Sequence, residues 1–354
     1  MKYNLADICE YVKGKVDVTI LNKDTYISTE NMIPNKGGIT SASSLPTITQ
    51  TQAFFAGDIL VSNIRPYFKK IWFAECDGGC SNDVLVFRAK DGVNKRFLYY
   101  VLADDAFFNY SMMTSKGTKM PRGDKVSIMK YEVPVFSYEE QRKIAGILEV
   151  LDRKIKLNTE LNKNLEQQAQ AIFDDMFPDI FSLNTDATLQ DLIVFANGKK
   201  RPKTIGNIPV YGGNGILAYT DKFNADNCVI IGRVGAYCGN TFLCLDKCWT
   251  SDNAIQAKNR TGSSPLFIYY LLRNASLSSR HIGTGQPLMT QGILNAIPIK
   301  YPAEEKISAF IETCSPIHKM ISGNRQQNES LASIRDSMLP KLMSGEMDVS
   351  ELNL

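Results

Sequence analysis

The sequence predicts an α+β protein of two quasi-repeated mixed α/β domains, each followed by a long α-helix, with the two helices pairing as an antiparallel coiled coil. Three observations support this prediction. The second half of the chain repeats the first, two long polar stretches hold a heptad pattern, and 354 residues exceed what one hydrophobic core usually fills. We expect domains at residues 1–137 and 185–302, and helical segments at 138–184 and 303–354.

The internal repeat is visible from the start of each half. The stretch "LADICEYVKGK" at Leu5 aligns with "LQDLIVFANGK" at Leu189. From residue 59 to residue 102, a constant shift of 170 positions aligns the two halves, so that "FLYYVL" meets "FIYYLL". A shift of 166 positions aligns the two helical stretches. One unit is therefore used twice, at a spacing too long for a solenoid.

Each globular part combines strand and helix signals. The runs "DILVS", "DVLVFRA" and "CVIIG" are short, rich in β-branched residues and bounded by Gly, Asp or Asn, which predicts strands. The stretch "NKRFLYYVLADDAFFNYSMM" has apolar residues at helical spacing and predicts one helix packed on that sheet.

The polar stretch from Glu139 to Phe177 sustains a heptad pattern. Globular helices average about 11 to 12 residues, so a helix of this length is expected to pair with another one. An amphipathic helix lying on its own domain is the alternative. The residues expected to face the partner helix are Leu148, Leu151, Ile155, Asn158, Asn162, Leu165 and Ile172.

The second polar stretch, from Glu304 to Gly345, resembles a diverged copy of the first. Asparagines at core positions lower stability but can fix the register and orientation of paired helices. A proline inside a helix removes a hydrogen bond, so we expect Pro316 to kink or break this helix, with Ser315 capping a restart. The residues expected to face the first helix are Ile321, Asn324, Asn328, Leu331 and Met338.

Charge is divided between the domains and the helices. Residues 1–137 hold 17 basic and 14 acidic side chains, and residues 188–302 hold 12 and 5. The helical segments 138–187 and 303–354 are acidic, with 6 basic against 10 acidic and 5 against 8. Positive domains joined by acidic helices favour a polyanion partner for the domains.

Several loops could contact duplex DNA. The loops "SKGTKMPRGDK" and "HIGTGQPLMTQG" occupy corresponding places in the two halves, as do "NIRPYFKK" and "GRVGAYCGN". Arg and Lys pair with guanine and Gln with adenine in the major groove, although a structural turn explains each loop equally well. The candidate DNA-binding residues are Arg65, Tyr67, Lys69, Lys116, Thr118, Lys119, Arg122, Lys199, Lys200, Arg201, Arg233, Tyr237, Gln286 and Gln291.

No pattern in the sequence indicates catalysis or a metal site. Phosphate-loop, His-Glu-x-x-His and amino-methylation motifs are missing, and the two histidines occupy non-equivalent places. Asp58 and Asp83 are expected at solvated strand ends. The pairs Cys76/Cys80 and Cys244/Cys248 lack a neighbouring histidine, so free thiols and no metal are expected in a reducing compartment. With no apolar run long enough to span a membrane and no secretory signal, we expect a cytoplasmic protein.

Four stretches resemble the specificity subunits of type I restriction-modification systems. They are "YISTENM" at Tyr26, "IPVYGGNGILAY" at Ile208, "EEQRKIAGILEVLDRKI" at Glu139 and "SMLPKLMSGEMDV" at Ser337. The resemblance implies a non-catalytic subunit with two target recognition domains, each recognising one half of a bipartite site in double-stranded DNA. It also implies that the paired helices set the spacing and dock two methyltransferase subunits.

The same resemblance assigns the chemistry to other chains. Methyltransferase partners would supply adenine methylation with S-adenosylmethionine, and motor-nuclease partners would use ATP and Mg, so no cofactor is expected in this chain. Two other functions remain open: a free-standing sequence-specific DNA-binding protein, and a coiled-coil adaptor that binds proteins alone.

Overall fold

The computed structural model divides the chain into two compact units. Unit 1 comprises Met1–Asn158 with Gln326–Leu354, and unit 2 comprises Thr159–Arg325. The structure describes residues 2–182, 185–283 and 285–349. Position 184 at the expected domain limit, Thr284 in a candidate loop, and the last five residues of the expected tail lie outside this description. Within it, no helix is long and apolar enough to cross a membrane.

Unit 1 contains a two-stranded sheet, β1-β10, and two four-stranded sheets with strand orders β2-β9-β6-β7 and β3-β5-β8-β4. The strands are β1 (Lys2–Asn4), β2 (Cys9–Tyr11), β3 (Lys15–Asp17), β4 (Tyr26–Ile27), β5 (Gln50–Phe54), β6 (Ile59–Ser62), β7 (Ile71–Phe73), β8 (Gly78–Cys80), β9 (Val84–Ala89) and β10 (Glu132–Pro134). The helices are α1 (Leu5–Ile8), α2 (Lys95–Ala103), α3 (Asp105–Met113), α4 (Lys125–Ile128) and the start of the long helix α5 (Tyr138–Met176).

Unit 2 contains the sheets β11-β19, β12-β18-β15-β16 and β14-β13-β17. Its strands are β11 (Ala187–Thr188), β12 (Ile193–Asn197), β13 (Ile208–Gly212), β14 (Gly215–Thr220), β15 (Cys228–Gly232), β16 (Thr241–Cys244), β17 (Trp249–Thr250), β18 (Ala254–Asn259) and β19 (Pro298–Ile299). Its helices are α6 (Leu189–Leu192), α7 (Leu266–Asn274), α8 (Gln291–Asn295) and the start of the second long helix, α9 (Glu304–Ser344).

The predicted repeat is confirmed by strand pairing. In unit 1, Ile59 of β6 lies opposite Phe73 of β7. In unit 2, Val229 of β15 lies opposite Leu243 of β16. The shift of 170 found in the sequence relates Ile59 to Val229 and Phe73 to Leu243. The sheets β2-β9-β6-β7 and β12-β18-β15-β16 therefore have the same order and the same register.

Each unit completes its core with residues from both long helices. In unit 1, Leu148 of α5 and Leu342 of α9 are buried in one cluster with Leu5 and Phe97 of the domain. In unit 2, a separate cluster joins the helix residues Phe173 and Phe310 to the domain residues Phe267 and Tyr270. The alternative that a long helix lies on its own domain is thus partly right, because each helix contacts both a domain and the other helix.

Asparagines connect the two helices in unit 1. Asn158 Nδ2 donates to Gln327 Oε1 at 2.7 Å and to Asn328 Oδ1 at 2.9 Å. Farther along, Arg335 donates to Asp152 Oδ1 at 2.7 Å. Residue numbers rise along one helix as they fall along the other, so the segments are antiparallel.

Unit 2 repeats this arrangement with other residues. Asn324 Nδ2 donates to Asn162 Oδ1 at 2.8 Å, and Asn162 Nδ2 donates to Ile321 O at 3.3 Å. The ring centroids of Phe173 and Phe310 lie 5.5 Å apart, which again gives an antiparallel order. Coiled-coil packing, and the role of the asparagines in fixing its register, remain predictions. Of the other expected pairing residues, Leu148, Leu165 and Ile321 are buried, while Leu151, Ile155, Ile172, Leu331 and Met338 are half-buried.

Capping residues mark the start of α5 and the end of α9. Ser137 and Glu140 form a reciprocal box at the start of α5, since Ser137 N donates to Glu140 Oε2 at 2.7 Å and Glu140 N donates to Ser137 Oγ at 3.3 Å. At the end of α9, Gly345 adopts a φ of 75° and its N–H donates to Leu342 O.

Two details of the predicted helices are wrong: the break and restart at Pro316, and the single helix across residues 94–113. Helix α9 continues through Pro316 without a break, and the Ser315 hydroxyl donates to Ile311 O at 2.6 Å instead of capping a restart. Pro316 lies on the exposed side, where water can solvate the carbonyl that loses its partner. The single helix predicted across residues 94–113 is two helices, because Asp104 adopts an extended conformation and caps α3 through Ala106 N at 2.9 Å.

Asp58 also differs from its expected environment. Its side chain is buried, with a residue exposure of 2%. Arg88 donates to its two carboxylate oxygens, each at 2.7 Å. A buried carboxylate needs such a partner, so this strand end is a closed ion pair instead of a solvated turn.

Candidate nucleic-acid interface

The candidate loops of unit 1 meet at one end of the sheet β2-β9-β6-β7. Strand β6 ends at Ser62, and residues 63–70 return the chain to β7 at the same end. A second loop, residues 115–125, folds back on the first, since Arg65 N donates to Pro121 O at 2.8 Å and Gly123 N donates to Asn63 O at 3.2 Å. We call these two segments the unit 1 loop pair.

The second loop of this pair is a small hairpin. Lys116 and Arg122 exchange backbone hydrogen bonds of 2.9 Å and 3.0 Å, and Thr118 and Lys119 lie exposed at its tip. Ion pairs within unit 1 join Lys69 to Asp105 at 2.7 Å, Lys116 to Asp124 at 2.7 Å and Arg122 to Asp83 at 3.1 Å.

These ion pairs leave the basic groups available to another anion. The Lys116 side chain is exposed, and pairs of this kind contribute only about 0 to 1 kcal/mol. The Lys116 ammonium, followed by Ser127, lowers the pKa of Asp124. No ion pair of Lys119 is found among the residues that the structure describes. A DNA phosphate can therefore compete for these cations at little energetic cost.

Unit 2 builds the same arrangement from different residues. After β15, residues 233–240 return the chain to β16, and residues 281–283 and 285–291 fold back on them. Gly235 N donates to Pro287 O at 2.9 Å, Met289 N donates to Arg233 O at 2.8 Å, and Ile282 and Leu288 exchange backbone hydrogen bonds. We call these segments the unit 2 loop pair, and Gln286 lies exposed near its tip.

An exposed tyrosine stands in each loop pair. Tyr67 is 49% exposed and Tyr237 is 47% exposed. They are equivalent under the shift of 170 and lie in the short 3-10 helices Pro66–Phe68 and Gly235–Tyr237. In unit 1, the ring of Phe68 lies 4.6 Å from that of Tyr67. A tyrosine hydroxyl can donate to a phosphate, and its ring can pack on a sugar or a base edge.

Backbone strain marks the unit 1 loop pair. Arg65 and Lys69 both have a φ of 50°, in the left-handed region that side chains disfavour. The equivalent positions in unit 2 are Gly235 and Gly239, with φ values of 73° and 89°. The fold thus requires left-handed residues at both places, and unit 1 holds basic side chains where glycine would be less strained. Such strain is typical of functional positions.

Buried polar atoms without a protein partner collect around both loop pairs. Among the described residues they include Arg65 Nε and Asn63 Oδ1 in unit 1, and Arg233 Nε, Ser251 Oγ and His281 Nδ1 in unit 2. Asn63 and Arg233 are equivalent under the shift of 170. Because buried polar groups are nearly always hydrogen-bonded, these atoms can each form a further hydrogen bond, to water or to a ligand.

Three of the candidate basic residues follow strand β12 in unit 2. Gly198 N donates to Ala254 O at 3.0 Å, which places this segment beside the start of β18, next to the strand that leads into Arg233. Lys200 and Arg201 are exposed. They therefore lie at the same end of the sheet as the unit 2 loop pair.

One candidate is turned away from the loop tips. Gln291 begins α8, and its amide is placed to donate to Phe195 O at 3.2 Å and to accept from Asn197 N at 3.1 Å. The Gln291 side chain therefore hydrogen-bonds to β12. Two residues beside the loop pair were not among the candidates from the sequence. Asn63 aligns with Arg233. Lys36 N donates to Lys69 O at 2.9 Å, and its ammonium lies 3.1 Å from Asp105.

The chain matches the family described as the type I restriction modification DNA specificity domain over residues 1–167 and 185–329, and it belongs to that family. The family predicted from the sequence is confirmed. The chain is 31% identical over 189 residues to the type I restriction enzyme HindI specificity subunit of Haemophilus influenzae. The match covers 50% of this chain and 40% of that protein. Against the MjaIX specificity subunit of Methanocaldococcus jannaschii, identity is 24% over 310 residues, covering 74% and 71%.

A solved structure supports the fold. The S subunit of a type I restriction-modification system from M. genitalium superposes with a TM-score of 0.57 at 17% identity, covering 99% of this chain and 96% of that one.

The strained arginine offers a first prediction. Arg65→Gly should leave the free energy of unfolding unchanged or raise it by up to about 1 kcal/mol, because relief of left-handed strain outweighs the entropy of glycine. The same change should weaken DNA binding at least severalfold. Urea unfolding and fluorescence anisotropy with duplex DNA measure the two effects, and Arg88→Gly is the matched control that should lose stability. A marked loss of stability in Arg65→Gly would contradict this account of the loop.

Proposed function

We propose that this chain is the DNA-recognition subunit of a type I restriction-modification complex, non-catalytic itself, with each domain recognising one half of a bipartite site. The observation that carries the proposal is the duplication of the loop pair. Each unit presents two backbone-linked loops at the same end of an equivalent sheet, with an exposed tyrosine and partnerless buried polar atoms. One chain with two such surfaces suits a target in two parts.

Affinity and sequence specificity would come from different contacts with DNA. Lysines and arginines around the loop pairs would contact phosphates, which supplies most of the affinity and makes it salt-dependent. Arg65 and Arg122 in unit 1, and Arg233 and Gln286 in unit 2, would reach base edges, where Arg favours guanine and Gln favours adenine. Because the two loop pairs differ in their donors, the two half-sites should differ in sequence.

The long helices would set the length of the spacer between the half-sites and dock two methyltransferase subunits. In unit 1, Val150 and Leu157 of α5 are 62% and 54% exposed and lie seven positions apart, hence on one side of the helix. Exposed apolar residues in such a row suit a protein partner. Those methyltransferase subunits would use S-adenosylmethionine, and motor-nuclease subunits would use ATP and Mg, in the cytoplasm where the DNA lies.

Salt-dependent DNA binding tests the proposal directly. The double variant Lys119→Ala/Arg122→Ala should lower the slope of log K against log salt by about 1 for each phosphate that these side chains neutralise. A guanine contact would instead relax one base position at a cost of about 1 to 3 kcal/mol. The control Lys163→Ala/Lys319→Ala removes the same charge from the long helices and should bind normally.

The two other functions predict different outcomes. A protein-binding adaptor would show no salt-dependent affinity for duplex DNA. A free-standing DNA-binding protein would bind DNA but would not co-purify with a methyltransferase when the complete system is expressed. Unaltered binding by Lys119→Ala/Arg122→Ala at matched salt would remove this hairpin from the interface.

A further inference from the structure

Three cysteines of unit 2 converge at one corner of its sheet. The sulfur atoms of Cys228, Cys244 and Cys248 all lie within 4.8 Å of one another, and all three residues are buried. Cys228 begins β15 and lies directly opposite Cys244, which ends β16. Sequence spacing pointed to Cys244 and Cys248 alone, because the third thiol comes from a strand sixteen positions upstream.

The backbone around the thiols is held in place. Ala225 N donates to Cys248 O at 3.1 Å, and Cys248 N donates to Ala225 O at 2.8 Å. The Cys244 sulfur lies 3.0 Å from the carbonyl oxygen of Asp246 in the loop that joins the two cysteines. Two irregular segments therefore meet at the three sulfurs, one before β15 and one after β16.

Simple packing is the alternative account, since cysteine often behaves as a small buried hydrophobe. The buried cluster is small, however, and half of its members are the thiols themselves. Its residues are Ala225, Cys228, Ile230, Cys244, Cys248 and Ala254, with Tyr211 and Phe242 packed against them. The matching cluster in unit 1 contains larger side chains, among them Phe54, Leu60, Val84 and Val86. Apolar burial alone therefore stabilises this corner of unit 2 less than it stabilises the matching corner of unit 1.

In unit 1, none of the three equivalent positions holds a cysteine. The shift of 170 places Cys228 at Asp58, Cys244 at Ala74 and Cys248 at Gly78. Asp58 is the buried carboxylate held by Arg88, and it also accepts from Phe55 N at 2.8 Å. A buried polar cross-link thus closes the corner in unit 1.

The cross-link of unit 1 has no copy in unit 2. The counterpart of Arg88 is Lys258, which pairs with Asp226 at the surface instead of with a buried group. Three converging sulfurs stand in the place of the buried carboxylate. The corner of unit 2 therefore lacks the polar cross-link and holds a set of metal-binding side chains.

We propose that Cys228, Cys244 and Cys248 bind one thiophilic metal ion, with Zn²⁺ as the ion held in the cell, and that it cross-links the corner between β15 and β16. Tetrahedral zinc with Zn–S bonds of about 2.3 Å places its sulfurs roughly 3.8 Å apart. The sulfurs need to approach by about 1 Å at most to reach this geometry. Three protein sulfurs leave a fourth position for water or another group.

The chemistry of the three side chains suits a soft cation. Thiolates, and not thiols, are the ligands of zinc, and the bound ion would deprotonate the three cysteines. Soft sulfur ligands select zinc over magnesium or calcium.

Cobalt substitution of the full chain, prepared without a histidine tag, tests the site. We expect one Co²⁺ per chain with intense sulfur-to-cobalt charge-transfer absorption, displaced by Zn²⁺, and one zinc by elemental analysis of protein from zinc-supplemented medium. Cys244→Ser and Cys248→Ser should each lose this absorption. Cys238→Ser, a buried thiol of the same unit outside the cluster, should retain it and is the matched control.

A second measurement uses the unaltered chain, so that the test does not depend on whether the variants fold. Zinc should slow alkylation of Cys228, Cys244 and Cys248 at least tenfold relative to the metal-free protein, and should leave the rate at Cys76 unchanged. The proposal is overturned if the folded chain takes up no cobalt with sulfur absorption. Equal alkylation rates with and without zinc, or a mass two hydrogens lower that reveals a Cys228–Cys244 disulfide, would overturn it too.

Discussion

A chimera in which Thr159–Arg325 is replaced by the equivalent block of a specificity subunit with another target should direct its methyltransferase partners to a site that keeps one half of the original sequence and changes the other. The block is the whole of unit 2 and is continuous in sequence. Each mismatched base pair typically costs about 1 to 3 kcal/mol. The exchanged half-site should therefore change almost completely, by roughly a thousandfold in preference over three base pairs.

The limits of the block matter because the domain shares its core with the helices. Phe173 and Phe310 lie outside residues 188–302 but pack in one cluster with Phe267 and Tyr270. A control chimera that exchanges only 188–302 keeps the old helix residues against a new domain. We expect it to be less stable by about 2 to 5 kcal/mol for each large side chain left poorly packed.

Mapping methylated adenines in cells that carry the partner subunits measures the outcome. One changed half with one retained half is the expected result for Thr159–Arg325. A chimera that is folded and active but recognises a site changed in both halves would show that the two domains do not act separately. An active chimera with the original site would place recognition outside unit 2.

Much of the fold could be predicted because the signals were periodic or repeated. The shift of 170 between the halves anticipated equivalent sheets, and the heptad pattern placed Leu148, Asn158 and Asn162 where the helices meet. Local errors arose where one residue decided the outcome. Asp104 caps a second helix, and α9 continues through the exposed Pro316.

Less of the candidate site could be predicted, because it depends on contacts between distant segments. Sequence alone marked Arg65 and Arg122 but did not show that the hairpin at 116–122 folds back on the loop at 63–70. Strain at Arg65 and Lys69 became visible only with backbone angles, although their alignment with Gly235 and Gly239 was a usable signal. Strand pairing likewise brought Cys228 to the other two thiols.

The two units also differ where a domain tyrosine meets a long helix. In unit 1, Tyr100 donates to Asp152 at 2.8 Å. Tyr270 in unit 2 is its equivalent, and it lies 2.9 Å from Nε2 of His318, which aligns with Asp152 under the shift of 166. The same contact therefore uses a carboxylate in one unit and an imidazole in the other, so that only unit 2 places a titratable imidazole there.

The stability of unit 2 should therefore fall in mild acid because of His318. This side chain is only 7% exposed. Burial first, and then the charges of Arg325 and Arg273, lower its pKa from 6.5 to about 4. Below pH 6.5 the His318 imidazole of the unfolded chain binds a proton, whereas the imidazole of the folded chain stays neutral until about pH 4. The free energy of unfolding should thus decrease by about 2 kcal/mol between pH 7 and pH 5.

Urea unfolding at a series of pH values, with hydrogen exchange of peptides from unit 2, measures this decrease. In His318→Gln the amide can still bond to Tyr270 but cannot bind the proton, so most of the decrease between pH 7 and pH 5 should disappear. His281→Gln, which removes the other histidine of the chain, should keep the decrease of the unaltered protein. An equal pH dependence in His318→Gln and the unaltered chain would assign the acid sensitivity to other groups and contradict the neutral, buried imidazole.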